Sequence, residues 1–312
     1  MKLLVKKISW SILAYLPEKL RYFFEYIYMK HRIPCIWKPR DYSEYIFRDI
    51  LLNRNHPRAF LADKYRVRDF VTQKGLKPLL PQLYGVWDDA RKIDFSKLPE
   101  QFALKCNHSC GMNIICTDKS DLNIEQTVCQ LNRWLKTSHP VYFESHYRKI
   151  KPLIICEEYI SDDSGLFPMD YKIHCAHGKP VFIQVCYDRN ENSAGKRILL
   201  DTEWRDLHYV IDDEHFPDRG VDRPYHLQQM LDAASRLSSE LEYARIDFYD
   251  TKDRVIFGEI TLTPMGGWLS YFSQEALNMM GWNAGAVRSP LCEMEPQHKE
   301  LLRKELAAMK LI

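Results

Sequence analysis

The segment ARIDFYDTKDRVIFGEITLTPMGG, residues 244–267, places charged side chains inside two predicted strands. Side chains alternate along a strand, so Arg245 and Asp247 share one face of the first strand. Glu259 and Thr261 share one face of the second strand, and a hairpin would bring Asp247 beside Glu259. Two adjacent carboxylates repel each other unless a cation lies between them. The pair therefore predicts a site for a hard divalent cation such as Mg²⁺, the alternative being a surface ion network in which Arg245 neutralises both acids.

Further chemistry-bearing side chains lie on two earlier predicted strands. In QFALKCN, the side chain of Lys105 projects from the face opposite Phe102 and Leu104, and a short loop leads into the strand NIICT. The strand PLIICEEYI then ends in the acidic pair Glu157 and Glu158.

Four other residues are candidates for substrate contacts. Lys172 and His174 alternate on the strand DYKIHC, and Arg189 ends its partner strand. They could bind an anionic acceptor or be solvated strand ends. Trp268 follows the Gly-Gly turn and could stack on a sugar ring, although an aromatic residue there more often packs in a core or lid.

The composition indicates a folded protein with one local basic segment. The chain has 312 residues, 46% hydrophobic and 28% charged, which excludes global disorder. The net charge is +2, but residues 1–40 hold nine Lys or Arg and two Glu, so they carry +7 and the remainder carries −5. This distribution gives no reason to expect a nucleic-acid partner.

The basic N-terminal segment raises the question of export or membrane binding. Its apolar run, residues 8–16, is short and lacks a small-residue cleavage site, so a signal peptide is not expected. It is also too short for a membrane-spanning helix, which needs about 20 apolar residues. A basic helix on an anionic membrane surface is one alternative, and a helix packed on its own protein is the favoured one.

The cysteines indicate a reducing compartment. Their number is nine, which is odd, and no CxxC pair occurs. Cys106 and Cys110 flank His108, but no second pair of suitable spacing follows, so a zinc site is not expected. We therefore expect a cytoplasmic protein, with peripheral attachment at the inner membrane face as a further hypothesis.

The order of predicted elements favours an α+β fold. Residues 1–56 are predicted to be helical, a further helix ends before Gly75, and an extended crossover follows. After it come a hairpin, a helix near residues 121–137, a strand, and a second hairpin that turns at His177 and Gly178. A long polar stretch, residues 190–222, precedes a helix predicted to start near Asp222, and the opening segment follows.

Six segments in this order resemble the TupA-like family of the ATP-grasp superfamily, which is associated with teichuronopeptide, capsule and other surface-polysaccharide biosynthesis. They are FALKCNHSCG, IICEEYI, DYKIHCAHGKP, YDR, ARIDFYD and FGEITLTPMGG, and the resemblance covers about residues 57–285. It implies an ATP-grasp fold, in which two α+β subdomains with antiparallel sheets clamp Mg-ATP. The implied organisation is a helical extension at 1–56, subdomains at 57–155 and 156–290, and a C-terminal helix at 291–312.

The resemblance also implies a role for each candidate residue. Lys64 and Lys105 would bind the phosphates of ATP with the loop that contains Ser109 and Gly111, a loop with only one glycine. Arg245 and Lys105 would be catalytic, and Asp247 and Glu259 would hold Mg²⁺. Thr261 stands where such enzymes commonly have Asn, so it would be a weaker ligand. The hinge that meets adenine would contain Glu157, Glu158, Tyr159 and Ile160.

The implied reaction joins a carboxylate to an amine at the expense of ATP. The expected substrates are the uronic acid of a sugar nucleotide or glycan and an amino acid or other amine, and polysaccharide assembly proteins are the expected partners. Two alternatives are phosphoryl transfer to a glycan hydroxyl and a non-catalytic nucleotide-binding scaffold.

Overall fold

The computed structural model describes residues 15–138, 143–161, 168–188, 195–207, 220–268, 272–273 and 275–278. These residues form helices and antiparallel sheets, which confirms the α+β prediction. The predicted helix at 291–312 lies outside the described residues, as do residues 1–14. The labelled helices are α1 (Glu18–Lys30), α2 (Tyr42–Leu51), α3 (Ala59–Ala62), α4 (Val67–Gln73), α5 (Ile124–Trp134) and α6 (Leu227–Ser238).

Nine labelled strands of the described chain form two sheets. The first sheet has the order β1-β4-β2-β3 and the second has the order β7-β6-β5-β8-β9, and all neighbouring pairs are antiparallel. The strands are β1 (Leu83–Trp87), β2 (Phe102–Cys106), β3 (Asn113–Cys116), β4 (Ile154–Glu158), β5 (Asp170–Ala176), β6 (Lys179–Tyr187), β7 (Lys196–Leu200), β8 (Tyr243–Asp250) and β9 (Val255–Thr261).

Each sheet packs one apolar face into a core, so its other face can carry polar side chains. In the first sheet, Phe102 and Leu104 of β2 are fully buried in a cluster that includes Leu131 of α5. In the second sheet, Ile173 of β5 and Ile246 of β8 pack in a core shared with α4 and α6. Because side chains alternate along a strand, the polar residues between these apolar positions point the other way.

The N-terminal helices pack against the rest of the protein through aromatic side chains. Tyr22 and Tyr26 of α1 are 1% exposed, and the Tyr22 hydroxyl donates a hydrogen bond to the carbonyl oxygen of Gly266 at 2.8 Å. Gly266 has a φ of +57°, and a Cβ added there would lie 2.2 Å from the ring of Phe143. The aromatic face of α1 is thus packed inside the fold.

No helix of the described segments is long and apolar enough to cross a membrane.

Three features of the fold differ from the sequence expectations. The helix expected near Asp222 begins at Leu227, because the backbone N–H and Nδ1 of His226 both bond to the carboxylate of Asp250 and hold the preceding turn against β8. Strand β1 was not predicted because prolines precede it, and strand β7 was not predicted because it lies within a polar stretch. The first sheet also extends to Glu158, so the expected boundary between residues 155 and 156 falls inside β4.

Candidate active site

A cleft of about 270 Å³ lies where the polar faces of the two sheets approach each other. Several parts of the chain contribute to it, namely the segment before α4, the loop after β2, and strands β4, β5, β8 and β9. Eight of its lining side chains are charged, four of each sign. The lining residues are Lys64, Arg68, Leu80, Pro81, Lys105, Ser109, Cys110, Gly111, Met112, Asn113, Glu157, Asp170, Lys172, Asp247, Tyr249, Phe257, Gly258 and Glu259.

The predicted pair of carboxylates is present at the floor of this cleft. Asp247 of β8 lies directly opposite Glu259 of β9 in the strand register. The Arg245 guanidinium binds Asp247 in a bidentate manner, with Nε and Nη2 each 2.7 Å from a carboxylate oxygen. Its Nη2 also donates to Glu259 Oε1 at 3.2 Å and to Thr261 Oγ1 at 2.9 Å. Arg245 and Thr261 do not line the cleft themselves, and their hydrogen bonds hold the two acids in place.

A lysine from the neighbouring strand completes the charge network. Lys172 pairs with Asp247 in the register of β5 and β8. Its Nζ lies 2.6 Å from Asp247 Oδ2 and 2.5 Å from Asp170 Oδ2. Of the three candidate substrate contacts that the structure describes, Lys172 lines the cleft, where its charge is shared between two buried carboxylates.

These contacts keep both acids ionised. Burial by itself would raise the pKa of Asp247, but Arg245 and Lys172 outweigh it and the pKa is below its ordinary value. Burial also opposes ionisation of Glu259, yet Lys64 and Arg245 lower its pKa. At neutral pH the floor of the cleft therefore presents two negative carboxylates held by cations.

The donor set fits a magnesium ion shared with a phosphate ligand. Asp247 and Glu259 supply hard carboxylate oxygens, and Mg²⁺ in proteins is commonly held by one or two carboxylates plus substrate phosphates. Within the described ranges, no three His, Cys, Asp or Glu side chains are grouped closely enough to hold a metal alone. The two carboxylates face lysines across the cleft. This arrangement fits a Mg²⁺ ion that binds together with an anionic ligand such as a phosphate.

The opposite wall carries the predicted phosphate contacts. Lys64 and Lys105 both line the cleft with Ser109 and Gly111. The Lys64 Nζ donates to the carbonyl oxygen of Ser109 at 2.8 Å and lies 3.5 Å from Glu259 Oε2, so this residue links the loop to the second sheet. Burial would lower the pKa of Lys105, but its partner Glu157 raises it, and the side chain is a cation.

The two acids of the predicted hinge lie on different sides of β4. Glu157 faces the cleft, where Lys105 Nζ lies 3.0 Å and Arg68 Nη1 lies 2.7 Å from its carboxylate oxygens. Glu158 points to the other side, pairs with Arg254, and lines an open cavity with Tyr159. Ile160 lines neither the cleft nor this cavity. The adenine contacts of these residues stay predictions.

Two candidate substrate contacts lie in packed surroundings instead. His174 is 1% exposed. Its Nδ1 forms a hydrogen bond of 2.7 Å with the Tyr243 hydroxyl, and its ring stacks on Phe182. Trp268 packs beside Tyr22, with ring centroids 5.5 Å apart. Trp268 thus follows the packing alternative of the sequence analysis, whereas the expectation that His174 could be a solvated strand end is wrong, because the side chain is buried. Arg189 lies outside the described residues.

Sequence reasoning missed two charged residues of the cleft. Arg68 of α4 reaches both Glu157 and the carbonyl oxygen of Pro81. Asp170, the first residue of β5, is 4% exposed and shares Lys172 with Asp247. The alternation of β5 could have identified Asp170, because it lies two residues before Lys172. No local signal identified Arg68, whose partner is 89 residues away.

A family model described as TupA-like ATPgrasp matches residues 44–283. The chain belongs to the TupA-like ATP-grasp family. This match spans both sheets and the cleft, and it confirms the predicted ATP-grasp fold. The comparison with curated proteins gives no significant match.

Solved structures similar to the chain include several ATP-grasp ligases. A D-alanine–D-alanine ligase from Bacillus anthracis, complexed with ATP, has 14% identity and a TM-score of 0.42 over 72% of this chain and 66% of its own. An L-amino acid ligase from Bacillus licheniformis has 14% identity and a TM-score of 0.46 over 81% and 58%. The ATP-grasp ligase PsnB, in a complex with Mg and ADP, has 12% identity and a TM-score of 0.38 over 84% and 66%. The chain thus covers 58% to 66% of the length of these ligases.

The charge network predicts a loss of stability in acid. The pKa of Asp247 is lower in the folded chain than its ordinary value of 3.8. Its stabilising contribution is therefore complete above that value and is lost as the pH falls through the lower folded pKa. Urea unfolding measured from about pH 5 to about pH 2, on both sides of the ordinary value of 3.8, should show this decline.

Two variants test the assignment of this acid dependence. Asp247→Asn should unfold with a weaker dependence on pH in this range than the parent. Asp121→Asn, at an exposed position, should keep the parent's dependence. Identical pH dependences for the two variants would contradict a special role of Asp247.

Proposed function

We propose that the chain is an ATP-dependent carboxylate–amine ligase. The observation that carries this proposal is the placement of Asp247 and Glu259, paired in register at the cleft floor, opposite the lysines of the phosphate wall. Membership of the TupA-like ATP-grasp family supports the same reading. A cleft with carboxylates on one wall and lysines on the other suits the triphosphate of ATP and its magnesium ion.

The proposed reaction has two steps. A carboxylate oxygen of the acceptor attacks the γ-phosphorus of ATP, the bond to the β,γ-bridging oxygen breaks, and ADP leaves. The amine nitrogen then attacks the carbonyl carbon of the acyl phosphate and loses a proton, and inorganic phosphate leaves as the amide forms. This chain provides alignment and charge neutralisation rather than a covalent intermediate.

Individual side chains have distinct proposed roles in these steps. Lys64 and Lys105 bind phosphate oxygens as point charges. Asp247 and Glu259 would hold Mg²⁺, which supplies charge neutralisation at the transferred phosphoryl group. Arg245 keeps both acids ionised and in register, and Lys172 offers a cation near the position of the acceptor carboxylate.

The proposed substrates follow the association of the family with surface polysaccharides. The carboxylate would be a uronic acid of a sugar nucleotide or glycan, and the amine would be an amino acid or a related compound. Asp170, Lys172 and Asp247 make the acceptor side of the cleft strongly polar, which suits a hydroxylated acid better than an apolar one.

Product analysis separates this proposal from its alternatives. Uronates and amines are combined with Mg-ATP, and ADP, inorganic phosphate and amide are quantified. A ligase releases ADP and phosphate in equal amounts with the amide. Phosphoryl transfer to a hydroxyl gives ADP without phosphate, and a scaffold gives neither product with any pair. Either of these results would reject the ligase assignment.

We also propose that the extreme N terminus attaches the enzyme to an anionic membrane surface. The aromatic face of α1 is buried, so this proposal concerns residues 1–14, which carry Lys2, Lys6 and Lys7. Each basic residue near such a surface contributes on the order of 1 kcal/mol and is screened by salt. Co-sedimentation with anionic liposomes at low salt, lost at high salt and in a triple Lys→Glu variant, is the expected result. Protein that stays in the supernatant at low salt would refute it.

A further inference from the structure

A second cavity, which we call the helical cavity, lies between α1, α2 and the turn at Ser145–Lys149. Its volume is about 320 Å³, within the range of small-molecule sites. It shares no lining residue with the cleft. Its lining residues are Glu18, Lys19, Tyr22, Ile50, Leu51, Asn53, His56, Phe143, Ser145, Arg148 and Lys149.

The helical cavity has an excess of positive charge. Lys19, Arg148 and Lys149 contribute three cations to its wall, and Glu18 contributes one anion. Arg148 pairs with Glu18 at 2.5 Å. Neither Lys19 nor Lys149 makes an ion pair within the described part of the chain, so two positive charges remain for a ligand.

Neutral hydrogen-bonding groups lie between these cations. His56 Nε2 is 2.7 Å from Ser145 Oγ, and the same hydroxyl donates to Asn53 Oδ1 at 3.2 Å. Burial and the charges of Lys149, Arg148 and Lys19 lower the pKa of His56. The imidazole is therefore neutral at pH 7, and because the Ser145 hydroxyl donates to Asn53, the His56 Nε2–H donates to Ser145 Oγ.

The remaining wall of the helical cavity is apolar. Ile50 and Leu51 of α2 lie beside the stacked rings of Tyr22 and Phe143, whose centroids are 4.3 Å apart. A site with a cationic end and an apolar wall discriminates amphiphilic anions from inorganic ions, because it can remove both parts of the ligand from water.

We propose that the helical cavity binds the phosphate monoester of a small organic molecule. A phosphate monoester carries a charge of about −1.5 to −2 at pH 7. This charge matches Lys19 and Lys149, neither of which forms an ion pair among the residues that the structure describes. Lys19 and Lys149 would bind its oxygens, and the apolar wall formed by Tyr22, Ile50 and Leu51 would contact its organic part. This inference goes beyond the proposed ligase activity and does not depend on it.

The position of the helical cavity connects it to the cleft. Tyr22 contacts the carbonyl oxygen of Gly266, and Phe143 lies against the same glycine. This turn, Pro264–Gly267, follows β9, which carries Glu259. A ligand in the helical cavity would therefore contact side chains that support the strand of the predicted metal site.

The test uses phenyl phosphate as the probe and the full chain with its cleft saturated by Mg²⁺ and a non-hydrolysable ATP analogue. Isothermal titration should show saturable binding, and phenol, which has the ring without the charge, should not bind. The double variant Lys19→Gln/Lys149→Gln should bind at least tenfold more weakly. The single variant Lys149→Gln, which removes one of the two charges, should bind severalfold more weakly.

Two control variants make the result specific to this cavity. Lys179→Gln removes an exposed lysine at the start of β6 and should leave binding unchanged. Lys105→Met alters the cleft and should also leave it unchanged, even if the chain proves not to bind ATP. The proposal is overturned by absence of saturable binding in the parent, by equal weakening in Lys179→Gln, or by loss of binding in Lys105→Met.

Discussion

Replacing Glu259 by Gln is expected to lower ATP turnover at least about a hundredfold. The substitution removes one of two negative carboxylates facing the cleft while keeping the shape of the side chain. A bound metal supplies several kcal/mol of charge stabilisation in such reactions, and each loss of about 1.4 kcal/mol lowers the rate tenfold. ADP release with an active pair of acceptor and amine, measured over a range of Mg²⁺ concentrations, is the test.

The fold should tolerate this change better than a change at Asp247. Glu259 is half-buried and contacts Lys64 and Arg245 at 3.5 and 3.2 Å, whereas Asp247 is 3% exposed and binds both Arg245 and Lys172. The matched control is Glu125→Gln, at an exposed position of α5. Turnover by Glu259→Gln within a few-fold of the Glu125→Gln enzyme would refute the metal assignment.

Lys105→Met should weaken binding of ATP by about tenfold to a hundredfold. Methionine keeps the length of the side chain but removes its charge, and hydrogen bonds to charged groups contribute about 1.5–3 kcal/mol. The variant should fold, because Glu157 retains Arg68 as a partner at 2.7 Å. Equilibrium binding of a non-hydrolysable ATP analogue measures the effect without turnover.

Lys119→Met is the matched control for this second variant. Lys119 follows the next strand and donates to the carbonyl oxygen of Leu98, and it does not line the cleft. Its substitution should leave the affinity for the analogue unchanged. Equal affinities of the two variants would mean that Lys105 does not contact the nucleotide.

Alternation along strands allowed much of the site to be predicted from the sequence. The period of two placed Lys105 opposite Phe102 and put Arg245 and Asp247 on one face, and the structure has both arrangements. The hairpin prediction also brought Asp247 opposite Glu259. These predictions required only local geometry, which the sequence encodes within a few residues.

The pairings between distant elements could not be predicted in this way. Arg68 meets Glu157, and Lys172 meets Asp247, through folding of segments that are far apart in the chain. The register shift between Asp247 and Phe248 was also missed. It occurs where Gly258 approaches the Asp247 carbonyl so closely that an added Cβ would lie 3.0 Å from the oxygen.

The central claim is that Asp247 and Glu259 bind a metal ion together with ATP in the cleft between the two sheets. The most direct measurement is a crystal structure with a non-hydrolysable ATP analogue and Mn²⁺ in place of Mg²⁺, using the anomalous signal of manganese to locate the ion. We expect a peak in contact with oxygens of Asp247 and Glu259, with the triphosphate between that ion and Lys64 and Lys105. A nucleotide bound elsewhere, or a manganese ion that contacts neither carboxylate, would contradict the claim.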